Sequence, residues 1–131
     1  MAQEPRVLVV DDSVVVRKVL AMTLRQLPRF LYAIIDEAGN GALAVKKLEA
    51  ARYDLVLSDI RMPLMDGLAL VRHVRGPMKD RRTPVVLIST LGTEEDVRRG
   101  LEAGASAYLL KPLSPHHIKT ALEEFFDKKR V

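Results

Sequence analysis

Val7-Leu8-Val9-Val10-Asp11-Asp12-Ser13 runs four apolar, strand-favouring residues directly into two carboxylates and a serine suited to capping a helix. The same construction recurs along the chain. Leu55-Val56-Leu57-Ser58 leads into Asp59, Val85-Val86-Leu87-Ile88 into Ser89-Thr90, and Ala107-Tyr108-Leu109-Leu110 into Lys111. Stretches of helical period alternate with these runs, the order expected of βαβ units about a parallel sheet. Ligands of such sheets bind beyond the carboxyl ends of the strands, so Asp11, Asp12, Asp59, Ser89, Thr90 and Lys111 are expected on one rim. Two carboxylates about 4 Å apart repel by roughly 4 kcal/mol at an effective dielectric of 20. Their clustering implies a bound cation or shifted proton affinities. With a hydroxyl pair and an ammonium beside them, the set suits phosphoryl chemistry.

Working outward, strands are expected near 6–10, 32–36, 54–58, 84–88 and 106–110. The first, third and fourth should be central, because their apolar character is unbroken. Tyr32-Ala33-Ile34-Ile35 runs into Asp36-Glu37 and reads as an edge. A first helix at about 13–27 would pack Val16, Val19, Leu20, Thr23 and Leu27 and turn Arg17, Lys18 and Arg25 outward. After Gly39-Asn40-Gly41 a second helix offers Ala42, Val45 and Leu48; a third follows Asp66-Gly67, packs Leu68, Val71 and Val74, and stops before Gly76-Pro77. Thr93 and Asp96 have capping-box spacing for a fourth helix that packs Val97 and Leu101 and ends at Gly104. Ser114-Pro115 opens a fifth, with Ile118, Leu122, Phe125 and Phe126 on its buried face. The fold class is α/β, a doubly wound parallel sheet.

A chain of 131 residues with 48% hydrophobic content fits one domain, 1–131, with a real core. The absence of cysteine excludes disulfides and thiolate metal sites. No apolar leader or span of about 20 apolar residues is present, so a cytoplasmic protein without membrane insertion is expected. Lys+Arg number 21 against 17 Asp+Glu, and Arg72, Arg75, Lys79, Arg81 and Arg82 form a basic stretch. It lacks interleaved aromatics and reads as a solvated loop rather than a nucleic-acid surface. His116 and His117 read as surface residues.

The segments Val9-Val10-Asp11-Asp12-Ser13, Ser58-Asp59-Ile60-Arg61-Met62-Pro63-Leu64-Met65-Asp66-Gly67, Ser89-Thr90, Gly104-Ala105 and Lys111-Pro112 together resemble the receiver domain of two-component response regulators, most closely the stand-alone chemotaxis type. The match spans almost the whole chain. It implies a flavodoxin-like five-stranded sheet in the order 2-1-3-4-5 with five helices, and phosphorylation by a histidine kinase with Mg2+, for which Mn2+ can substitute. Asp59 is then the phosphoacceptor, a carboxylate nucleophile. Asp11, Asp12, Asp59 and the backbone carbonyl of Arg61 are the metal ligands, a hard oxygen set. Lys111 and Ser89, with Thr90 beside them, would neutralise and position the phosphoryl oxygens. Met62 to Gly67 is scaffold, and Lys111-Pro112 is expected as a cis peptide.

The resemblance further implies a switch at Ser89 and Tyr108 and an output face with Arg98, Arg99, Tyr108 and Lys119 that binds a downstream protein. The molecule would be a signalling protein that catalyses its own phosphorylation and dephosphorylation, not an enzyme acting on others. Ser89 stands where threonine is more frequent, Thr90 is larger than the usual alanine or glycine, and Arg61 adds a long cation. The last two would restrict attacking water and lengthen the life of the acyl phosphate. Three other readings compete. An aspartate-dependent phosphohydrolase would carry an alternating acid pair after the first strand, whereas Asp11 and Asp12 are adjacent. A pseudo-receiver would bind partners without phosphorylation. A receiver from a larger regulator, a methylesterase or transcription factor, would continue past the last helix, and the ending Lys128-Lys129-Arg130-Val131 favours a stand-alone protein.

Overall fold

The computed structural model describes residues 4–90, 92–111 and 114–129. Strands β1 (Arg6–Val10), β2 (Ile34–Ala38), β3 (Leu55–Asp59), β4 (Val85–Ser89) and β5 (Ala107–Leu110) alternate with helices α1 (Val14–Leu24), α2 (Gly41–Ala50), α3 (Gly67–Arg75), α4 (Glu94–Ala103) and α5 (Pro115–Lys129). The described residues form one sheet in the order β2-β1-β3-β4-β5, with every pair parallel. This is the expected flavodoxin-like doubly wound fold. The three apolar runs are the interior strands, because only a strand covered on both faces can be apolar at every position.

One face of the sheet, with Leu8, Val10, Val56 and Leu87, packs against Ala44 and Leu48 of α2 and Leu70, Val71 and Val74 of α3. The other, with Val7, Val9, Leu55, Leu57, Val86 and Ile88, packs against Leu20 and Leu24 of α1, Ile118 and Leu122 of α5, and Phe30. All five helices begin where a loop leaves the rim, and each has a side-chain cap. Ser13, Asn40, Asp66, Thr93 and Ser114 accept the backbone N–H of Val16, Leu43, Ala69, Asp96 and His117, and Thr93 with Asp96 forms the full capping box. Each cap contributes about 1 kcal/mol and fixes the angle at which its loop enters the helix.

Several boundaries and faces differ from expectation. Helix α1 ends at Leu24, not Leu27, because the chain tightens there: Gln26 N–H donates to Thr23 O and Leu27 N–H to Leu24 O, and a turn of 3-10 helix follows at Pro28–Phe30. The helix therefore buries Leu24 while Val19 turns partly outward. The extra turn delays β2 by two residues and leaves Tyr32 76% exposed. Asp36 and Glu37 are consequently strand residues. An edge strand tolerates them because cations from elsewhere meet them: Arg6 Nε donates to Asp36 Oδ2 at 3.0 Å, Arg17 Nε to Glu37 Oε1 at 2.9 Å, and Lys18 Nζ to Glu37 Oε2 at 2.7 Å. The buried stripe of α2 is Gly41, Ala44 and Leu48, with the expected Val45 partly buried against the same core; Ala42 is not part of it. On α4, Leu101 is 46% exposed, and the buried position is Gly100.

The Tyr53 hydroxyl donates to Asp36 Oδ2 at 2.6 Å and shares that carboxylate with Arg6. Burial opposes ionisation of Asp36, but Tyr53 and Arg6 outweigh it and hold the carboxyl below its ordinary 3.8. Burial first, and then Asp36, push the Tyr53 hydroxyl up to about 12. A depressed carboxyl stabilises the fold above its unfolded value and loses that contribution as pH falls; a raised phenol loses its own as pH climbs from 10 towards 12. Tyr53→Phe should cost about 1–2 kcal/mol in denaturant unfolding at pH 7. The difference from wild type should shrink below the carboxylate range and above pH 10.

Candidate functional site

The site is built where β1 and β3 end side by side and β5 delivers one cation across β4. Asp11 follows the last residue of β1, and its N–H donates to Ala38 O at 3.1 Å, extending the strand ladder by one step. Its side chain is pinned: Oδ1 accepts the Ser13 N–H at 2.9 Å, and the residue is only 2% exposed. Asp59 closes β3, with Oδ1 accepting the Ile60 N–H at 2.9 Å. Oxygens of Asp11, Asp12 and Asp59 lie within 4.8 Å of one another. Lys111 Nζ stands 3.2 Å from Asp11 Oδ2 and 3.4 Å from Asp59 Oδ1. Its own N–H donates to Ser89 O at 2.7 Å, which ties the ends of β4 and β5.

Burial is the chief cause that holds the Asp59 carboxyl above its ordinary value; Lys111 opposes this and Asp11 adds to it. A partly desolvated acid beside another acid is one whose ionised form a cation would favour. All three side chains offer hard oxygen donors, the chemistry Mg2+ selects, so the residues present fit such an ion. The loop after Asp59 is held close by Gly67, whose N–H donates to Ile60 O at 2.8 Å. A β-carbon on Gly67 would come within 2.3 Å of the Asp59 carbonyl, so no other residue fits there.

The remaining expected residues divide. Ser89 is 1% exposed, and burial above all pushes the Tyr108 hydroxyl up, with Ser89 opposing it. Thr90 is exposed and, with Lys111, borders an apolar groove of about 380 Å³ formed by Val15, Val16 and Val19 of α1 and Ile118 of α5. Arg61 and Arg99 line a cleft together with Asp12 and Asp66, so Arg99 belongs to the rim side of α4. Arg98 is exposed and paired with Glu95 and Glu102 of its own helix. Lys119 is half-buried on α5, and His116 and His117 are exposed at its start. Pro112 lies outside the described residues, as does the expected cis peptide. A positioning residue not foreseen is Arg17, whose Nη1 donates to Asp11 O at 2.7 Å while Nε holds Glu37. Its partners, Asp11 six residues before it and Glu37 twenty after, lie outside its helix, so no periodic signal marks it.

Because the folded Asp59 carboxyl lies above 3.8, ionising it works against the folded state as pH rises through that value. Asp59→Asn should therefore raise the thermal midpoint at pH 7, with the gain vanishing below the carboxylate range. Millimolar MgCl2 should raise the wild-type midpoint and move the variant's much less. A lower midpoint for Asp59→Asn at pH 7 would contradict this account of the rim.

The family model described as the response regulator receiver domain matches residues 7–123. A gliding motility regulatory protein of Myxococcus xanthus is 42% identical over 110 residues, covering 84% of this chain but 14% of that protein. Chemotaxis protein CheY1 of Helicobacter pylori is 37% identical over 119 residues, covering 90% of this chain and 94% of that one. Among solved structures, the chemotaxis response regulator CheY4 of Vibrio cholerae superposes with a TM-score of 0.83 at 30% identity, covering 94% and 99% of the two chains.

Proposed function

The chain belongs to the response regulator receiver domain family, whose members act in two-component phosphoacceptor signalling, and from that premise we propose that Asp59 accepts a phosphoryl group from the phosphohistidine of a histidine kinase. The observation that carries the residue assignment is the convergence of Asp11, Asp12 and Asp59 within 4.8 Å under one ammonium, Lys111.

An Asp59 carboxylate oxygen attacks phosphorus, the P–N bond to imidazole breaks with its electron pair leaving on nitrogen, and an acyl phosphate forms. Asp11, Asp12, Asp59 and the Arg61 carbonyl would hold Mg2+ (or Mn2+), which would supply charge neutralisation for the phosphoryl oxygens. Lys111 adds a fixed positive charge at the same point, and the Ser89 hydroxyl donates to a phosphoryl oxygen. Thr90 and Arg61 border the approach of water and slow hydrolysis of the acyl phosphate, which the chain catalyses itself. Exposed Val14, Val15 and Val19 on α1, beside the rim, give the donor an apolar surface to land on.

Engagement of Ser89 with the phosphate draws the end of β4 towards Asp59, and Tyr108 follows it. The face of α4, β5 and α5, with Arg98, Arg99, Tyr108 and Lys119, then binds a downstream protein more tightly, by about 5- to 150-fold. We assign the protein to the cytoplasm, as a single-domain regulator of chemotaxis or motility. Among the described residues no helix is long and apolar enough to cross a membrane.

Acetyl phosphate with MgCl2 should add one phosphoryl mass to the wild type. EDTA or Asp59→Asn should abolish the addition, and Lys111→Ala should slow it by at least about tenfold, the effect of about 1.4 kcal/mol. Phosphorylation of Asp59→Asn at the wild-type rate would refute the assignment.

A further inference from the structure

Arg17 ties the acidic rim to the outer strand of the sheet. Its Nη1 donates to the Asp11 carbonyl at 2.7 Å while its Nε donates to Glu37 Oε1 at 2.9 Å, and the side chain is 15% exposed. Glu37 stands in β2 opposite Val9 of β1, one residue before Ala38, whose carbonyl accepts the Asp11 N–H. Both backbone groups of Asp11 are therefore held from the end of β2. Lys18 Nζ takes the second oxygen of Glu37 at 2.7 Å, so the carboxylate that braces Arg17 is itself engaged on both oxygens.

The three acids of the rim differ in how they are fixed. Asp11 Oδ1 accepts the Ser13 N–H and its Oδ2 meets Lys111, while Asp59 Oδ1 accepts the Ile60 N–H and meets the same ammonium. Asp12 is exposed, and among the described residues its carboxylate has no hydrogen bond or ion pair. Only the backbone aims it. The Asp11 carbonyl belongs to the planar peptide that leads into Asp12, so holding that carbonyl fixes the direction in which the chain enters Asp12.

We propose that Arg17, braced by Glu37, is a positioning residue that aims Asp12 at the other two acids and so sets the affinity of the rim for Mg2+. The inference rests on the reading of Asp11, Asp12 and Asp59 as the cation site. A planar guanidinium held at two of its N–H groups resists rotation, whereas an ammonium is a single point on a flexible stem. Groups that orient metal ligands from outside the ligand set change metal affinity by about 10- to 100-fold when removed. Charge works the other way. A cation beside three carboxylates repels Mg2+, so the loss of Arg17 would tighten binding if its field were all that mattered. The two effects predict opposite signs, and orientation is the larger, because the Glu37 carboxylate at 2.9 Å already offsets the field of Arg17.

MgCl2 is titrated into the whole chain as wild type, Arg17→Gln, Arg17→Lys, Glu37→Gln and the Arg17→Gln, Glu37→Gln double variant, and followed by amide NMR shifts, with thermal midpoints taken in EDTA. Arg17→Gln should weaken Mg2+ binding by about 10-fold, and Arg17→Lys, which keeps the charge but not the fork, by at least about 3-fold. Glu37→Gln should also weaken it, because the guanidinium then keeps only its bond to Asp11. The double variant should be no weaker than Arg17→Gln, since the brace has nothing left to hold. A field effect alone would instead tighten binding in Arg17→Gln and return the double variant, which has lost one charge of each sign, to the wild-type affinity. Unchanged or tighter binding by Arg17→Gln would overturn the proposal, and so would wild-type affinity in Arg17→Lys, which decides the matter should Arg17→Gln fail to fold. Failure of the wild type to bind Mg2+ at all would bring down the reading of the rim as a cation site, and this inference with it.

Discussion

Three carboxylates gathered within 4.8 Å repel one another, and Lys111 is the interaction that makes the gathering tenable. Its ammonium bridges Asp11 and Asp59 at 3.2 and 3.4 Å and joins residues 100 positions apart in the chain. The rest of the structure serves that meeting. The strand order places the ends of β1 and β3 next to each other, and β5 lies beyond β4, so only a side chain as long as lysine spans the gap. The backbone bond from Lys111 to Ser89 fixes where that reach begins. A single ammonium leaves the charge of the rim uncompensated, and a divalent cation held by the three carboxylates would complete the balance.

Rigid and adjustable parts are separated accordingly. Interior strands with no exposed residue and helices α1, α2, α3 and α5 with large buried side chains make a body that does not yield easily, since close-packed interiors transmit displacement rather than absorb it. Capping side chains hold the loops that leave the rim. Helix α4 is the exception. It has a complete capping box and a paired arginine on its surface, which make it a good helix, yet it sits on the sheet through a glycine and one aromatic ring. It is well formed and weakly anchored, the combination suited to an element that moves as a unit.

What could be read from the sequence followed from local rules. A strand buried on both faces must be apolar throughout, and a residue after its last position must lie at the carboxyl rim; β1, β3, β4 and the group Asp11, Asp12, Asp59, Ser89 and Lys111 follow from these two statements. What could not be read depended on partners far away in the chain. Strand β2 begins two residues into its apolar run because a turn of 3-10 helix precedes it, and Arg6, Arg17, Lys18 and Tyr53 then make Asp36 and Glu37 acceptable inside a strand. Gly100 escapes a periodicity reading because a glycine carries no side chain to count, and its meaning appears only when the ring above it is seen. Arg17 looks like any charge on an outer helix face until its contact with the Asp11 carbonyl is known.

The charged edge of the sheet has a consequence for how copies of the molecule treat one another. An outer strand carries unpaired backbone groups that another strand can adopt, and apolar edges invite such pairing. Strand β2 is five residues long and places two acids in its second half, each already engaged by cations of its own molecule. A foreign strand laid along β2 would have to bring its side chains against this occupied ion-pair surface. The two acids of this border and their cations thus discourage strand addition along β2, and the sheet stops there at its outer strand.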